Sequence, residues 1–398
     1  MAGDVQIDLA NYDPMDYEVQ QCPFPHYAAL REHGPLFYHE QTKTFIASRM
    51  DIVNLIVRDT ETFSSERSNA KVPTDDVETQ NTIDAILAEG WPRAETMLTV
   101  DPPHQTRYRK LVSRTFSARK IGGFEEKVRE IAIELIEKFP TKGSINFDEA
   151  FATPLPVKVI HYALNMSPEV ESKVKWWSDA NNYDLGANPS KEMRIEKAES
   201  IVDCQKYWFS EYEDRVANPQ DDILSDLTHA DFDDPDLPEG QTRKLHFPEV
   251  YGIIRQLMVA GNETTTKFLN ETMRLLIENP EWWQRLENDP DGIVHGIVEE
   301  GLRASSPTQG LFRTVTKETQ IEGINIPKGS RIWVVFAAAN RDDQEFSCPE
   351  DFLPDRENVS KHLAFGKGHH FCIGAPLSRL EGKVAFEELG KRINLPNF

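Results

Sequence analysis

The sequence predicts a single, mainly α-helical domain with small β-sheets. Three observations carry this. Helical spacing of apolar residues runs almost unbroken from Pro103 onward, strand character is confined to short stretches near the N-terminus and in the last third, and no repeat or composition shift divides the 398 residues. With 39% hydrophobic residues, 21 Phe and 7 Trp, the chain can bury a sizeable core.

Taken in order, residues 25–33 read as an amphipathic helix closed by Gly34, followed by strands at Leu36–Tyr38 and Phe45–Ser48 and a helix over about Asp51–Arg58. From Asn69 to Leu98, with Pro73, Pro92 and several acids, the pattern is irregular and reads as a long loop with one helical turn. Helices follow at 124–138 and 192–215. The stretch 230–240, with four Asp, one Glu and two Pro, is an acidic surface loop. The longest helix runs from about Phe247 to Asn279 and is ended by Pro280. At ~1.5 Å per residue it is about 50 Å long, enough to cross a domain. Strands return at 312–326 and 331–339, punctuated by Gly323 and the Pro327-Lys328-Gly329 turn. A last helix spans Ala375 to Ile393, with Pro376 in its first turn.

Composition excludes several classes. A net charge of −22 repels a nucleic-acid duplex. The first thirty residues lack the basic start and apolar run of a signal peptide, and no stretch approaches the roughly 20 apolar residues that span a bilayer. Four cysteines at 22, 204, 348 and 372, with no CxxC pair, fit a reducing cytoplasm rather than a disulfide framework or a structural zinc site.

The run Phe365-Gly366-Lys367-Gly368-His369-His370-Phe371-Cys372-Ile373-Gly374 stands directly ahead of the last helix. Its glycines at 366, 368 and 374 permit positive φ and close approach to a flat ligand. Backbone amides and a helix N-terminus favour a thiolate there. Three readings follow: a metal-ligating Cys372, a small buried hydrophobe in a Gly-rich turn, or zinc with His369 and His370. Adjacent ligands cannot all point at one ion, and no second cluster completes four ligands.

The run resembles the haem-binding loop FxxGxxxCxG of the cytochrome P-450 family, matching every fixed position. The resemblance implies that Cys372 is the axial thiolate of haem b (iron protoporphyrin IX), that His370 contacts a propionate, and that Phe365, Gly366 and Gly374 shape the haem seat. Within the long helix, Ala260-Gly261-Asn262-Glu263-Thr264-Thr265 resembles the family's [AG]Gx[DE]T[TS] oxygen-activation motif. By itself, an acid followed by Thr is unremarkable in a helix, but Gly261 costs about 1 kcal/mol relative to Ala and calls for a reason. Carried over by position, Glu263 relays protons and Thr264 hydrogen-bonds bound dioxygen. Such chemistry needs protons delivered by groups that hold water in place.

Glu300 and Arg303 match the family's ExxR ion pair. Relatives add a third basic residue within a PxRF run, where this chain has Pro349-Glu350-Asp351-Phe352. Arg109 and Arg313 match positions that neutralise propionates, and Gln105 stands where many relatives have His. Between Arg107 and Lys120 lie six basic residues and no acid. Arg107, Lys110 and Arg114 share one helical face, which is either a solvated face or, with Lys367, a docking patch for an acidic electron donor.

The family fold is a triangular prism around a long central helix. By that analogy the substrate pocket is lined by the 70–98 region, the 175–190 segment, Leu257, Met258, Asn262, Thr265, Leu311 and Phe312, with Asn262 able to hydrogen-bond a substrate oxygen. The resemblance implies a cytoplasmic, monomeric monooxygenase with no membrane or nucleic-acid partner. It would use O2 to hydroxylate a hydrophobic terpenoid, steroid, fatty acid or aromatic. The length leaves no room for a fused flavin or ferredoxin domain, so electrons would come from a [2Fe-2S] ferredoxin and its NAD(P)H reductase. Position 398 is an abrupt stop for the C-terminal strands of that fold.

Overall fold

The computed structural model of the protein describes residues 7–66, 76–182 and 190–394. Its elements in chain order are α1 (Tyr17–Gln21), α2 (Phe24–His33), β1 (Phe37–His39), β2 (Thr44–Ala47), α3 (Met50–Arg58), β3 (Phe63–Ser64), α4 (Val77–Leu87), α5 (His104–Thr115), α6 (Ala118–Gly122), α7 (Glu125–Ile136), α8 (Pro154–Ala163), α9 (Glu171–Asn182), α10 (Lys191–Ala217), α11 (Ile223–His229) and α12 (Phe247–Glu278). They continue with α13 (Pro280–Asn288), α14 (Pro290–Ser305), β4 (Leu311–Val315), β5 (Thr319–Ile321), β6 (Ile324–Ile326), β7 (Arg331–Val334), α15 (Phe336–Ala339) and α16 (Ala375–Arg392). Two compact units emerge, one of residues 1–68, 268–372 and 389–398, the other of 69–267 and 373–388.

The first unit is built on a five-stranded sheet of order β1-β2-β7-β4-β3, in which only β2 and β7 run parallel, beside the β5-β6 hairpin. Alternation along each strand divides the core in two. Phe45, Ala47, Ile332 and Val334 join the apolar stripe of α3, made of Met50, Ile52, Val53, Ile56 and Val57. Ile46 and Trp333 face Tyr27 and Leu30 of α2 on the other side. Asp342 Oδ2 accepts the Met50 N–H at 2.8 Å, satisfying a free donor at the start of α3.

The second unit is helical. Gln205 on α10 accepts the Trp91 N–H at 3.0 Å and donates to the Trp91 carbonyl at 2.9 Å, clamping the segment after α4. Its partner Trp91 stacks on Phe209 with ring centroids 4.4 Å apart.

Three expectations change. The 69–98 stretch contains an 11-residue helix, α4, rather than one turn; residues 69–75 lie outside the described residues. Only Thr79 of α4 is fully buried, so its apolar spacing is too weak to announce it. Asp76 caps it, accepting the Thr79 N–H at 3.0 Å. The 331–339 strand stops at Val334, because Ala337, Ala338 and Ala339 form a helical turn in α15 for which alanine is the best former. The 312–326 stretch is three strands, broken at Gly323, whose φ of 86° suits a tight turn. Among the described residues no helix is long and apolar enough to cross a membrane.

Candidate functional site

In the first unit, α14 places Glu300 and Arg303 on adjacent turns, both with no exposed side-chain surface. Arg303 donates to both Glu300 oxygens at 2.8 Å. Arg356 Nε approaches the same two oxygens at 3.2 Å, and the Leu353 N–H donates to Glu300 Oε1 at 2.9 Å. The third basic partner therefore exists, at Arg356 rather than within Pro349–Phe352. The Pro354-Asp355-Arg356 run that follows is the signal that identifies it.

The remaining guanidinium N–H groups hold backbone carbonyls. Arg303 donates to those of Asn340 and Pro349 at 2.8 Å and of Asp351 at 3.1 Å. Asn340 in turn accepts the Leu363 N–H at 2.6 Å and donates to Ser306 Oγ at 2.8 Å. From Leu363 the chain folds into the cysteine loop: Gly366 N–H donates to the Leu363 carbonyl at 2.9 Å and Cys372 N–H to the Phe365 carbonyl at 2.9 Å. A path of hydrogen bonds thus runs from the buried ion pair to Cys372.

Within the loop Gly366 and Gly368 have φ of 64° and 72°. A Cβ on Gly368 would also meet the Val57 carbonyl oxygen at 2.9 Å, so sterics as well as conformation require glycine there. His370 ends a short 3-10 turn, half-buried, and Lys367 precedes that turn, also half-buried. Cys372 is half-buried, in no disulfide, and stands three positions before the first residue of α16, whose N-terminal dipole favours a thiolate nearby. Gly374 supplies the carbonyl that accepts the Ser378 N–H at 3.0 Å in the opening turn of α16. Among the described residues, the ligating atoms of His369, His370 and Cys372 do not all lie within 4.8 Å of one another.

Strand β4 sends alternate residues to opposite faces of the sheet. Arg313, buried and paired across to Ile332, shares the α3 side with Leu311. Phe312 points the other way, stacked on Trp333 with Arg331 3.6 Å above its ring, and remains 46% exposed. Leu311 and Phe312 therefore do not line one cavity.

In the second unit the middle of α12 carries three threonines that diverge at about 100° per residue. Thr264 Oγ1 donates to the Ala260 carbonyl of its own helix at 2.6 Å, Thr265 to Glu381 of α16 at 3.2 Å, and Thr266 to the Ala152 carbonyl at 3.1 Å. Leu257, Ala260, Gly261 and Thr264 form one stripe, with Ala260 exposed and nothing nearer than 3.7 Å to a Cβ built on Gly261. Small residues thus leave room beside the Thr264 hydroxyl. Within the first unit, a half-buried thiol in a glycine loop and the buried Arg313 are the kinds of group that suit a haem, a thiolate for the iron and a cation for a propionate.

Of the expected pocket residues on α12, only Leu257 shares that stripe. Asn262 lies about 200° from Thr264, on the far face, where its amide nitrogen and oxygen are buried with no protein partner among the described residues. Fully buried Met258 and Thr265, the latter engaged by Glu381, also face elsewhere. Glu263 is half-buried, its carboxylate 2.6 Å from Lys267 one turn on.

Helix α5 carries the basic residues. Arg109 is half-buried, while Lys110 and Arg114 are exposed on another face; Arg107 Nε lies 3.3 Å from Asp233. Gln105 is buried and accepts from Thr106 Oγ1 at 3.3 Å.

Glu381 is a residue the sequence does not flag. Burial among apolar groups pushes its carboxyl up to about 8, with the Thr265 hydrogen bond opposing the shift, so it is neutral in the fold at pH 7.

The chain resembles known proteins along most of its length. The family model described as Cytochrome P450 matches residues 191–392. Cytochrome P450 109 of Bacillus spizizenii is 31% identical over 370 residues, covering 92% of this chain and 83% of the relative. Erythromycin C-12 hydroxylase of Saccharopolyspora erythraea is 31% identical over 364 residues, 90% of this chain and 84% of the relative. The solved structure of cytochrome P450 CYP109Q5 from Chondromyces apiculatus superposes with a TM-score of 0.81 at 30% identity, covering 95% of this chain and 90% of that one.

The neutral carboxyl of Glu381 makes stability depend on pH. Its carboxyl binds a proton in the fold up to pH of about 8, whereas the unfolded chain releases it near 4.5. Between those values the folded state holds more protons, so its stability falls as pH rises. Thermal melts of Glu381→Gln should match the wild type at pH 5 and exceed it at pH 8, by roughly 2 °C or more; an unchanged gap across that range would contradict a neutral Glu381.

Proposed function

The chain belongs to the cytochrome P450 family, and from that premise we propose that Cys372 is the thiolate through which it binds its haem. Members of the family bind haem b through a cysteine thiolate, and the protein is a cytochrome P450 monooxygenase that uses O2 on a hydrophobic substrate. The observation that carries the assignment is the hydrogen-bonded path from Glu300–Arg303 through Asn340 and Leu363 to the loop ending at Cys372. A haem held by Cys372 would supply oxygen activation, and a thiolate ligand is the kind that favours O–O cleavage.

The chain's own residues provide anchoring and protons. By their match to the family's positions, Arg109, Arg313 and His370 would hold the propionates, arginine suiting the task through its permanent charge and forked donors. Phe365, Gly366 and Gly374 shape the seat. Thr264 Oγ1 donates to the Ala260 carbonyl, which leaves its lone pairs to orient a water beside the small-residue stripe. Glu263 collects protons from solvent: its pairing with Lys267 is exposed and weak enough to open at little cost. Leu257, on the Thr264 stripe of α12, is the pocket residue this reading retains on that helix. A terpenoid, steroid, fatty acid or aromatic would suit such apolar lining.

Electrons come from a separate [2Fe-2S] ferredoxin and its NAD(P)H reductase, to a cytoplasmic monomer. The docking face lies on α5 and consists of Lys110 and Arg114, which are exposed and have no ion pair among the described residues, together with Arg107. An acidic donor complements it.

Two measurements test these roles. Thr264→Ala should retain haem and the spectral shift on substrate binding while product formed per NAD(P)H drops about ten-fold or more, the electrons appearing as hydrogen peroxide. Unchanged coupling would remove Thr264 from the proton path. Arg114→Glu should raise the ferredoxin concentration for half-maximal rate several-fold at low salt and less at high salt; an unaltered salt dependence would remove α5 from the docking face.

A further inference from the structure

The acidic loop at 230–240 packs onto helix α5, the helix assigned to donor docking. Phe232 is buried and stacks on Tyr108 of α5, ring centroids 4.7 Å apart. The loop closes on itself through paired backbone hydrogen bonds between Phe232 and Arg243, at 2.8 and 3.0 Å. Arg243 then bridges Asp234 at 2.5 Å and Glu249 at 2.7 and 2.8 Å, while Tyr108 donates to Glu249 at 2.5 Å. These contacts fix the loop whatever its remaining acids do.

Two of those acids reach the basic side of α5. Asp233 lies 3.3 Å from Arg107 Nε, and Asp236 lies 3.3 Å from His104 Nε2. Asp231 is turned away onto Lys244 at 2.7 Å, and Asp234 is taken by Arg243. The Asp233 and Asp236 side chains are 60% and 80% exposed, so their pairs are weak and screened by salt. Nothing in the anchoring network needs them.

We propose that Asp233 and Asp236 act as a built-in competitor for the acidic electron donor, occupying Arg107 and His104 at the N-terminal end of α5 until a donor carboxylate displaces them. The inference rests on the assignment of α5 as the docking face. It divides that face into two parts: Lys110 and Arg114 make first contact, and Arg107 joins only when the donor outcompetes Asp233. Exchange of one carboxylate for another on the same guanidinium costs little net free energy, so the loop tunes donor affinity without blocking access.

The test uses the haem-loaded full chain, an acidic plant-type [2Fe-2S] ferredoxin with its reductase, and the rate of haem reduction as a function of ferredoxin concentration. The double variant Asp233→Asn/Asp236→Asn should lower the half-saturating ferredoxin concentration about two- to five-fold at low ionic strength, with the gain vanishing at about 0.5 M salt. Adding Arg107→Gln to that variant should abolish the gain, while thermal melts stay unchanged because Tyr108, Arg243 and Glu249 are intact. An unchanged or raised half-saturation in the double variant, in a protein whose Arg114→Glu form does respond, would overturn the competitor and leave the docking face standing. No response in Arg114→Glu, or no saturable reduction by the ferredoxin, would overturn both.

Discussion

One buried carboxylate organises the cysteine side of the molecule. Glu300 has no exposed surface, and it is shared by Arg303 and Arg356. Leaving such a charge without its partners costs about 3–5 kcal/mol, so the two guanidinium groups must stay where they are. Their other N–H groups have nowhere to go but backbone carbonyls in the irregular 340–351 segment, which they pin. Asn340 passes that order to Leu363, and the loop from Leu363 to Cys372 inherits a fixed start. A loop carrying two positive-φ glycines would otherwise have many conformations open to it. The ion triad is therefore less a contribution to net stability than a device that gives irregular backbone one shape.

On α12 a different constraint operates. Three successive threonines could all have lined a cavity, yet helical geometry turns them about 100° apart, and each hydroxyl finds a separate acceptor. Only Thr264 stays with the stripe of small residues. Thr265 instead meets the neutral carboxyl of Glu381, two polar groups that satisfy one another in an apolar surrounding. The chemistry available on this helix is narrow because one face is open and the others are committed.

Much of this was legible in the sequence. The long helix, the last helix and the cysteine loop announce themselves through period, proline punctuation and glycine spacing. Helix α4 does not, because its exposed residues carry no apolar stripe, and α15 does not, because alanines continue a strand-like run without a break. The site divides likewise. Cys372, Glu300 and Arg303 are tied to motifs with fixed spacing. Arg356 is not legible from motif spacing, because the family's PxRF pattern points to the position before Phe352 whereas the arginine stands in the Pro354-Asp355-Arg356 run that follows. The family analogy groups Asn262, Met258 and Thr265 with Leu257, and Phe312 with Leu311, whereas the helical period turns the first three away from the Leu257 stripe and the strand period turns Phe312 away from Leu311. Asp233 and Asp236 read as a solvated charge run until the Phe232–Tyr108 stack brings them onto α5.

The most direct measurement is the absorption spectrum of the reduced protein under carbon monoxide, compared between the wild type and Cys372→His. The account predicts the red-shifted Soret band of a thiolate-ligated haem in the wild type and its replacement by an imidazole-type band, or loss of haem, in the variant. A thiolate-type band persisting in Cys372→His would place the ligand on another cysteine and contradict the account.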